Sequence, residues 1–580
     1  MAVITSPQRP MTNDQTTIPP GYWQREASHN PRPLTPLGSS LFYGGTNQAF
    51  PKVFADFGLL LETLEFREIG GYVYTSARPF GLRAGDGGGR TPPKPLLWLA
   101  LRLHPAFRRR IATCKKALRG RLDRTLIERW YSEWRPRLVA GMARLRAIDL
   151  ASLSDAQLAA HFEELRRWFF DACDIHFYLS GANGFPLARL AFFCRDHLGY
   201  DDLRTLALMS GLSGASSAPA IALAQLADRL RADDALRPAL LDAKPADVPA
   251  IIGQHGGDAA AAFRSYLDEY GYRALRYEVV ERTLGEEPQI VGQLLQDQLR
   301  RPVDVQAEQE LLKQGRDEAK AAALAALPDE ALRAQFLELL ADAERAYPVR
   351  EDNEFYTVSV PLALCRFAAL EAARRLVASD SIALPDDVFF LTWDEAIAAL
   401  RVPSEAFAEL VAERRATFAA AEAFEPPASY GSEPAPPPMG ILPPVAREAM
   451  DVMMYIQDNV FEAEMSGARA ESGTTEIRGR AAAKGSFTGV ARVIMGEHEF
   501  DRLQPGDVLV CPITSPVWSI LFAKVSALVT DTGGILSHPA IIAREYGIPA
   551  VVATGNATQL IRDGQQVLVD GDAGIVRILT

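Results

Sequence analysis

A proline-dense stretch at residues 424–444, FEPPASYGSEPAPPPMGILPP, divides this 580-residue chain into two parts of different texture. Proline fixes φ and has no backbone N–H, so such a run is excluded from helix interiors and favours an extended, semi-rigid spacer. We therefore expect the parts before and after it to fold as separate units. At about 100–200 residues per domain, the length predicts roughly three domains.

The part before this stretch has the periodicity of α-helices. In LSDAQLAAHFEELRRWFF, Ser154 precedes apolar residues spaced three and four apart, and Gln157 has the spacing of a capping box. Similar patterns follow Asp329 and Ser404. They predict a mainly helical region over residues 97–423. Residues 1–50, rich in proline and polar side chains, are expected to form an extended arm within an N-terminal region 1–96 that leads into it.

The part after the stretch changes to short β-strand patterns. One connecting helix is predicted in VAREAMDVMMYIQDNVFEAEM, which completes a linker region over residues 424–475. The segments GVARVIMG, DVLVCPI, ALVTD and AVVAT then alternate with helical pieces, and DGDAG is typical of a hairpin turn. We therefore predict a multidomain fold: a large, mainly α-helical region followed by a compact α/β domain over residues 476–580.

Composition narrows the class of protein. A net charge of −12 disfavours a general binder of nucleic acid or anionic membranes. No uninterrupted apolar run approaches the ~20 residues that span a bilayer, and the N-terminus lacks the apolar core of a signal peptide. Five widely spaced cysteines show no pattern typical of zinc sites and are expected to be reduced thiols. These features predict a cytoplasmic protein without a metal site.

One histidine occupies an unusual position, in TDTGGILSHPAIIAREYGIPAVV. His538 follows a glycine pair and precedes Pro539, which suits the first position of a helix, while Gly547 suits its end. A helix N-terminus attracts anions and disfavours imidazolium, so the ring is expected to stay neutral and nucleophilic near neutral pH. A structural histidine in a strand–helix turn is the alternative on these residues alone.

Attack of this imidazole on a phosphoryl group would produce a phosphohistidine. Thr532, the backbone of Gly533 and Gly534, and Ser537 are the candidates to hold its oxygen atoms, because glycine lets backbone N–H groups approach a ligand closely. Arg544, about two turns into the helix, either neutralises phosphoryl charge or pairs with an acid.

The same segment resembles the swivelling phosphohistidine domain of the phosphoenolpyruvate-utilising enzymes. The residues that match the family pattern are Thr530, Gly533, Gly534, Ser537, His538, Ala540, Arg544, Gly547 and Pro549. Pro539 departs from the commoner alanine but suits that helical position. The resemblance implies that His538 is the phosphorylated residue and that residues 476–580 are the swivelling domain.

The helical region resembles rifampin phosphotransferase more loosely, in YGYRALRYEVVERTLGEEPQIVGQLL and DDVFFLTWDEAIAAL. No segment resembles the ATP-grasp domain or the (β/α)₈ barrel of longer relatives. The layout is similar to the histidine-bearing subunit of phenylphosphate synthase. It implies a separate ATP-grasp subunit that binds ATP and Mg²⁺ and phosphorylates His538. The mobile domain would then swing on residues 424–475 and present the phosphoryl group to a small, phenolic hydroxyl acceptor in a helical substrate-binding domain.

The acceptor site requires a group that takes a proton or stabilises a phenolate. Candidates are Arg273, Glu278, His29 and His255, with Arg273 favoured because it lies in the matched segment. Tyr272 replaces a histidine of the related proteins, which puts any role of that histidine in doubt. Two alternatives remain at this point: the same chemistry with an antibiotic or aliphatic alcohol, and a non-catalytic scaffold or regulatory protein.

Overall fold

The computed structural model describes residues 18–27, 29–81, 93–300, 305–435, 438–461, 473–514, 518, 521, 522 and 524–579. Part of the expected arm (residues 1–17), the glycine-rich segment 82–92 and part of the linker region lie outside these ranges. Within them, helices dominate up to residue 461 and strands dominate after residue 473. The predicted change of texture is therefore confirmed.

Nineteen α-helices precede the α/β part in the described residues. They are α1 (Pro36–Phe57), α2 (Lys94–Leu103), α3 (Pro105–Arg119), α4 (Leu122–Arg129), α5 (Arg135–Arg146), α6 (Asp155–Leu198), α7 (Asp202–Leu206), α8 (Gly214–Arg231), α9 (Leu236–Asp242), α10 (Val248–His255), α11 (Gly257–Tyr270), α12 (Pro288–Arg300), α13 (Val305–Ala326), α14 (Glu330–Ala346), α15 (Val349–Glu354), α16 (Val360–Ala378), α17 (Trp393–Arg401), α18 (Ala406–Glu422) and α19 (Pro444–Ile456).

The helix starts that the sequence predicts are present. Ser154 caps α6 in a capping box with Gln157, and Asp329 caps α14. Helix α6 is 44 residues long and packs against α1, α14 and α16, so it forms the centre of the helical part. Its length lets residues from distant parts of the chain meet along one scaffold.

A small sheet joins the N-terminal region to the proline-dense stretch. Its strands are β1 (Trp23–Arg25), β2 (Leu61–Ile69), β3 (Tyr72–Pro79) and β4 (Ser429–Tyr430), in the order β2-β3-β1-β4. Gly70 and Gly71 form the tight β2–β3 turn with φ of +62° and +86°, values that glycine adopts without strain. The expectation of an extended arm is wrong for residues 36–50, which open helix α1.

The α/β part contains one eight-stranded sheet. Its strands are β5 (Glu476–Arg478), β6 (Arg480–Ala483), β7 (Ser486–Val493), β8 (Val508–Cys511), β9 (Ala527–Thr530), β10 (Ala550–Val552), β11 (Gln566–Asp570) and β12 (Ile575–Ile578). The order is β5-β12-β11-β7-β8-β9-β10-β6, and β7 to β10 run parallel. Helices α20 (His538–Glu545) and α21 (Ala557–Leu560) accompany it. Strands β8, β9 and β10 are buried throughout, as parallel strands covered on both faces are.

The α/β part is docked on the helical part. Ile535, Leu536 and Ile541 belong to the same apolar cluster as Tyr347 and Tyr455 of the helical part. The backbone N–H of Leu536 also donates to the carbonyl oxygen of Asn459, at 3.0 Å. A second apolar cluster joins one face of the sheet and α20 to residues 223–299. This docking brings the loop before α20 against the helical part.

One stretch in the described residues, Glu330–Ala378, is long and apolar enough by length and composition to cross a membrane. Of its most apolar window, 67% is buried inside the fold. A core helix of a soluble protein passes the same test, so the stretch is weak evidence for a membrane span.

Candidate functional site

The loop between β9 and α20 places His538 at the carboxyl edge of the parallel strands. This edge is where open α/β sheets bind ligands. Ser537 is the N-cap of α20, with extended backbone angles, and Pro539 follows as a residue that needs no N–H partner. The helix begins at His538 and ends at Glu545, and Gly547 adopts a φ of +62°. The predicted strand–loop–helix around His538 is confirmed.

The imidazole of His538 contacts a carboxylate of the helical part. Its Nδ1 atom lies 2.8 Å from Oε2 of Glu351, and the two side chains are only 11% and 8% exposed. An ionised carboxylate can only accept a hydrogen bond, so Nδ1 carries the proton and Nε2 keeps its lone pair. Nε2 is shielded from solvent and has no hydrogen-bond partner among the described residues. Nε2 is therefore the ring nitrogen that keeps a lone pair.

Helix α15, with the sequence VREDNE, supplies Glu351 and also carries Arg350 and Glu354. Arg350 interacts electrostatically with Glu351 and Glu354, and burial lowers the pKa of its guanidinium. Within the part of the chain that the structure describes, this guanidinium has no hydrogen bond or ion pair. A half-buried cation of this kind can bind the oxygen atoms of a phosphoryl group.

A second arginine approaches from the segment after α11. Arg273 is 6% exposed, and its guanidinium lies 4.6 Å from the ring centroid of Phe355. Burial lowers its pKa, while the charge of Glu351 opposes that shift. The favoured acceptor-site candidate therefore lies near the carboxylate that holds His538.

Aromatic side chains surround these charges. Burial raises the pKa values of Tyr277 and Tyr347, and both phenol groups interact electrostatically with Glu351. The ring of Tyr277 lies 5.4 Å from that of His29, and Phe355 packs edge-on against Tyr356 at 5.0 Å. The surroundings of His538 thus combine aromatic surface with guanidinium groups.

The other predicted acceptor residues lie in different places. His29 contacts Oε1 of Glu26 at 2.8 Å and interacts electrostatically with Glu354, so it lies at the edge of this group. Glu278 accepts a hydrogen bond from the hydroxyl group of Thr35 at 2.6 Å, and burial raises its pKa to about 8.

His255 and Tyr272 are held by other contacts. His255 forms an ion pair with Asp233 at 2.8 Å, and the structure does not bring it to His538. The ring of Tyr272 lies 3.6 Å from the guanidinium of Arg146.

The predicted phosphoryl-binding residues are held by local hydrogen bonds. The hydroxyl group of Thr532 donates to the carbonyl of Pro512 at 3.1 Å, and that of Ser537 donates to the carbonyl of Gly534 at 2.6 Å. Gly533 has a φ of +109°, and a Cβ atom there would lie 2.8 Å from Oγ of Ser537. This turn therefore requires glycine, as the sequence indicates.

Arg544 is committed to structure in this docked arrangement. It donates from Nη1 to the carbonyl oxygen of Ala482 at 2.8 Å and from Nη2 to the hydroxyl group of Tyr347 at 3.4 Å. Its neighbour Glu545 accepts the backbone N–H groups of Gly211 and Ser213 at 3.1 and 3.2 Å. These two residues join α20 to the helical part.

Sequence reasoning did not single out Arg350, Glu351, Glu354 or His176. Nδ1 of His176 forms a hydrogen bond with Oγ1 of Thr357, at a distance of 3.0 Å. Burial lowers the pKa of His176 to about 3. The available signal was VREDNE, a charged run between two apolar helical segments. Such runs are more often solvated helix faces, so only the fold distinguishes this one.

Two family models match the chain. Residues 503–574 match the mobile domain of PEP-utilising enzymes, and residues 176–351 match the fourth domain of rifampicin phosphotransferase. The second match extends from His176 to Glu351, so its last residue is the carboxylate that contacts His538. The first contains His538 itself.

Curated relatives match the same parts. An uncharacterised phosphotransferase, YvkC, of Bacillus subtilis (strain 168) is 32% identical over 316 residues, 54% of this chain and 36% of the relative. A rifampicin phosphotransferase of a Streptomyces species is 32% identical over 349 residues, 58% of this chain and 36% of the relative. The phosphoenolpyruvate synthase of Pseudomonas aeruginosa (strain UCBPP-PA14) is 49% identical over 143 residues, 23% of this chain and 18% of the relative.

These similarities define a chain whose residues 503–574 are similar to the mobile domain of PEP-utilising enzymes. Within its helical part, residues 176–351 are similar to the fourth domain of rifampicin phosphotransferase. The chain spans about a third of the length of the first two curated relatives. The resemblance inferred from the segment around His538 and from residues 270–295 is confirmed.

Proposed function

We propose that this chain is a phosphotransferase that carries a phosphoryl group on Nε2 of His538 and passes it to a hydroxyl acceptor in the helical part. The observation that carries this proposal is the state of the imidazole. Its Nδ1 is held by Glu351, whereas Nε2 is shielded from solvent and has no hydrogen-bond partner among the described residues. Covalent catalysis through such a nitrogen splits one transfer into two steps.

The Glu351 carboxylate has a defined task in each step. When Nε2 attacks a phosphoryl donor, the ring gains positive charge, and the carboxylate beside Nδ1 stabilises that charge. When the acceptor oxygen attacks phosphorus, the P–Nε2 bond breaks and its electron pair returns to Nε2. The neutral imidazole with its proton on Nδ1 is thereby restored. Arg350 and Arg273 supply positive charge for the transferring phosphoryl oxygens.

The donor step requires the mobile domain to leave its docked position, because Nε2 is shielded from solvent there. We infer that a separate ATP-grasp subunit, with ATP and Mg²⁺, phosphorylates the undocked histidine in the cytoplasm. The proposed swing uses the linker region 424–475. Its described part is partly packed, since Ser429–Tyr430 pairs with β1 and α19 joins the helical core. Those segments remain with the helical part during the swing.

A small phenol is the acceptor that we favour. Phe355 and Tyr356 offer aromatic surface near Arg273, Tyr277 lies near Glu351, and guanidinium groups stabilise a phenolate. An antibiotic hydroxyl group is the second candidate, because residues 176–351 match a domain of rifampicin phosphotransferase. Aliphatic alcohols and a non-catalytic, scaffolding role are the remaining alternatives.

Chemical loading tests the central proposal without a partner protein. The full chain is incubated with phosphoramidate, which phosphorylates histidine, and the acid-labile, base-stable phosphoryl group is measured by ³¹P NMR. We expect one stable phosphohistidine in the wild type and none at this position in His538→Ala. Equal loading of the two proteins would contradict the proposal. Formation of phenyl phosphate after addition of phenol tests the acceptor class, and rifampicin in place of phenol tests the second candidate.

A further inference from the structure

Glu354 lies one helical turn after the residue that holds the histidine. Both belong to α15, Val349–Glu354, and are three positions apart. Side chains three apart on a helix share a face, with Cβ atoms about 5–6 Å from each other. Glu354 therefore lies on the same side of α15 as Glu351, the residue that contacts His538.

One oxygen of the Glu354 carboxylate, Oε1, is shielded from solvent and has no hydrogen-bond partner among the described residues. Leaving a buried acceptor unsatisfied costs about 1–3 kcal/mol, and more for a charged group. A π-helical turn, Phe355–Ser359, follows at once, and such turns occur frequently at functional sites. An oxygen kept in this way is available to a ligand.

The groups facing Glu354 come from several parts of the chain. His29, Arg350 and Arg273 favour the ionised carboxylate, whereas Glu351 disfavours it. The phenol group of Tyr277 faces it as well. Burial is the largest effect and raises the pKa of Glu354 to about 7. A carboxyl group in this range exchanges protons near neutral pH, as a general base must.

Three other candidate acids and bases are already engaged. Glu351 is bonded to His538, Glu278 accepts from Thr35, and His29 contacts Glu26. Glu354 differs from them because its Oε1 remains unsatisfied.

We propose that Glu354 is a catalytic residue that binds the hydroxyl group of the acceptor and takes its proton, a role that rests on the proposed function of His538. The acceptor's O–H proton moves to the Glu354 carboxylate as the oxygen–phosphorus bond forms. The P–Nε2 bond breaks in the same displacement, and its electron pair returns to Nε2. Glu354 releases the proton to solvent after the phosphorylated product leaves.

The variant Glu354→Gln removes the base and preserves the shape of the side chain. The full-length wild type and variant are both loaded with phosphoramidate, and transfer to phenol is followed as phenyl phosphate. We expect equal loading of His538 and a loss of about 100-fold or more in the transfer rate. With 4-nitrophenol in mildly alkaline solution the acceptor is already ionised, so the variant should transfer as fast as the wild type. Glu354→Asp should recover part of the rate with phenol.

If Glu354→Gln transferred to phenol as fast as the wild type, the assignment of Glu354 would be overturned. It would also be overturned if the variant were slowed equally with phenol and with 4-nitrophenol, because that result indicates a distorted site. If the wild type phosphorylates neither phenol, decay of the phosphohistidine to inorganic phosphate gives the same comparison, because water too must lose a proton. A variant that decays at the wild-type rate would then refute the role. Failure of the proposed function is recognised separately, because His538 would not be loaded at all, and this proposal would fall with it. Thermal unfolding controls for folding: Glu354→Gln should not lower the unfolding temperature.

Discussion

Nδ1 of His538 and Oε2 of Glu351 lie 2.8 Å apart and join two parts of the chain separated by 187 positions. This hydrogen bond fixes the tautomer of the histidine and leaves Nε2 as the only nitrogen with a lone pair. The bond also joins residues 503–574, which match the mobile domain of PEP-utilising enzymes, to residues 176–351, which match the fourth domain of rifampicin phosphotransferase. The candidate site is therefore assembled only when these parts dock.

Glu351→Gln tests the charge of this pair. The amide can still accept from Nδ1, but it no longer stabilises a positively charged phosphorylated ring. A hydrogen bond to a charged group contributes about 1.5–3 kcal/mol, so transfer from His538 to an acceptor should slow about 10- to 100-fold. Single-turnover transfer from chemically loaded protein measures this. Glu330→Gln, whose side chain is 90% exposed, is the matched control and should transfer normally. A normal rate in Glu351→Gln would show that the charge is unimportant.

Gly534→Ala tests the docking of the mobile domain. A Cβ atom at Gly534 would lie 2.0 Å from the carbonyl oxygen of Asn459, so the domain must shift away from the helical part. Overpacking costs about 1–3 kcal/mol, which should raise the reactivity of His538 toward diethyl pyrocarbonate about tenfold or more. Mass spectrometry of the modified peptide measures the rate.

Gly315→Ala is the control for this substitution, because nothing lies within 4 Å of its Cβ position. It should leave the reactivity of His538 unchanged. Unaltered reactivity in Gly534→Ala would indicate that the loop adapts without undocking.

Arg544→Lys distinguishes a structural role from a phosphoryl-binding role. Lysine lacks the planar fork that reaches both Ala482 and Tyr347, and its ammonium group would be buried with fewer partners. We expect the free energy of unfolding to fall by about 2–4 kcal/mol, measured with urea. Tyr347→Phe removes one weaker hydrogen bond and should cost about 1 kcal/mol or less. Unchanged stability with lost loading of His538 would instead assign Arg544 to the phosphoryl group.

Glu545 should make stability depend on pH. Burial raises its folded-state pKa from 4.5 to about 7, so the folded protein binds the proton more tightly than the unfolded chain. The contribution of Glu545 to the free energy of unfolding is therefore fully present below 4.5, its pKa in the unfolded chain. It is lost as the pH rises through about 7. Relative to Glu545→Gln, the wild type should lose on the order of 2 kcal/mol between mildly acidic and mildly alkaline solution. Urea unfolding at the two ends of this range checks it, and an increase in relative stability with pH would contradict it.

Much of the α/β part was predictable, because its signals are local. Short apolar runs predict the strands, and the glycine pair, Pro539 and Gly547 define the turn, the start and the end of α20. The helical part was predictable as a class, since the capping box at Ser154 and the cap at Asp329 also depend on neighbours in sequence. The prediction of an extended arm is wrong for residues 36–50, because Thr35 caps a helix there and packing against α6 stabilises that helix.

By itself, the sequence determined the local setting of the proposed nucleophile: a histidine at the first position of a helix, after a turn that requires glycine. Only the tertiary structure decided what this histidine meets. Glu351, Arg350 and Glu354 lie in a short charged run whose pattern is the same on a solvated surface. In the docked arrangement Glu351 of that run is buried against His538. Because desolvation and the pairing of distant charges arise only from packing, they leave no mark in local sequence.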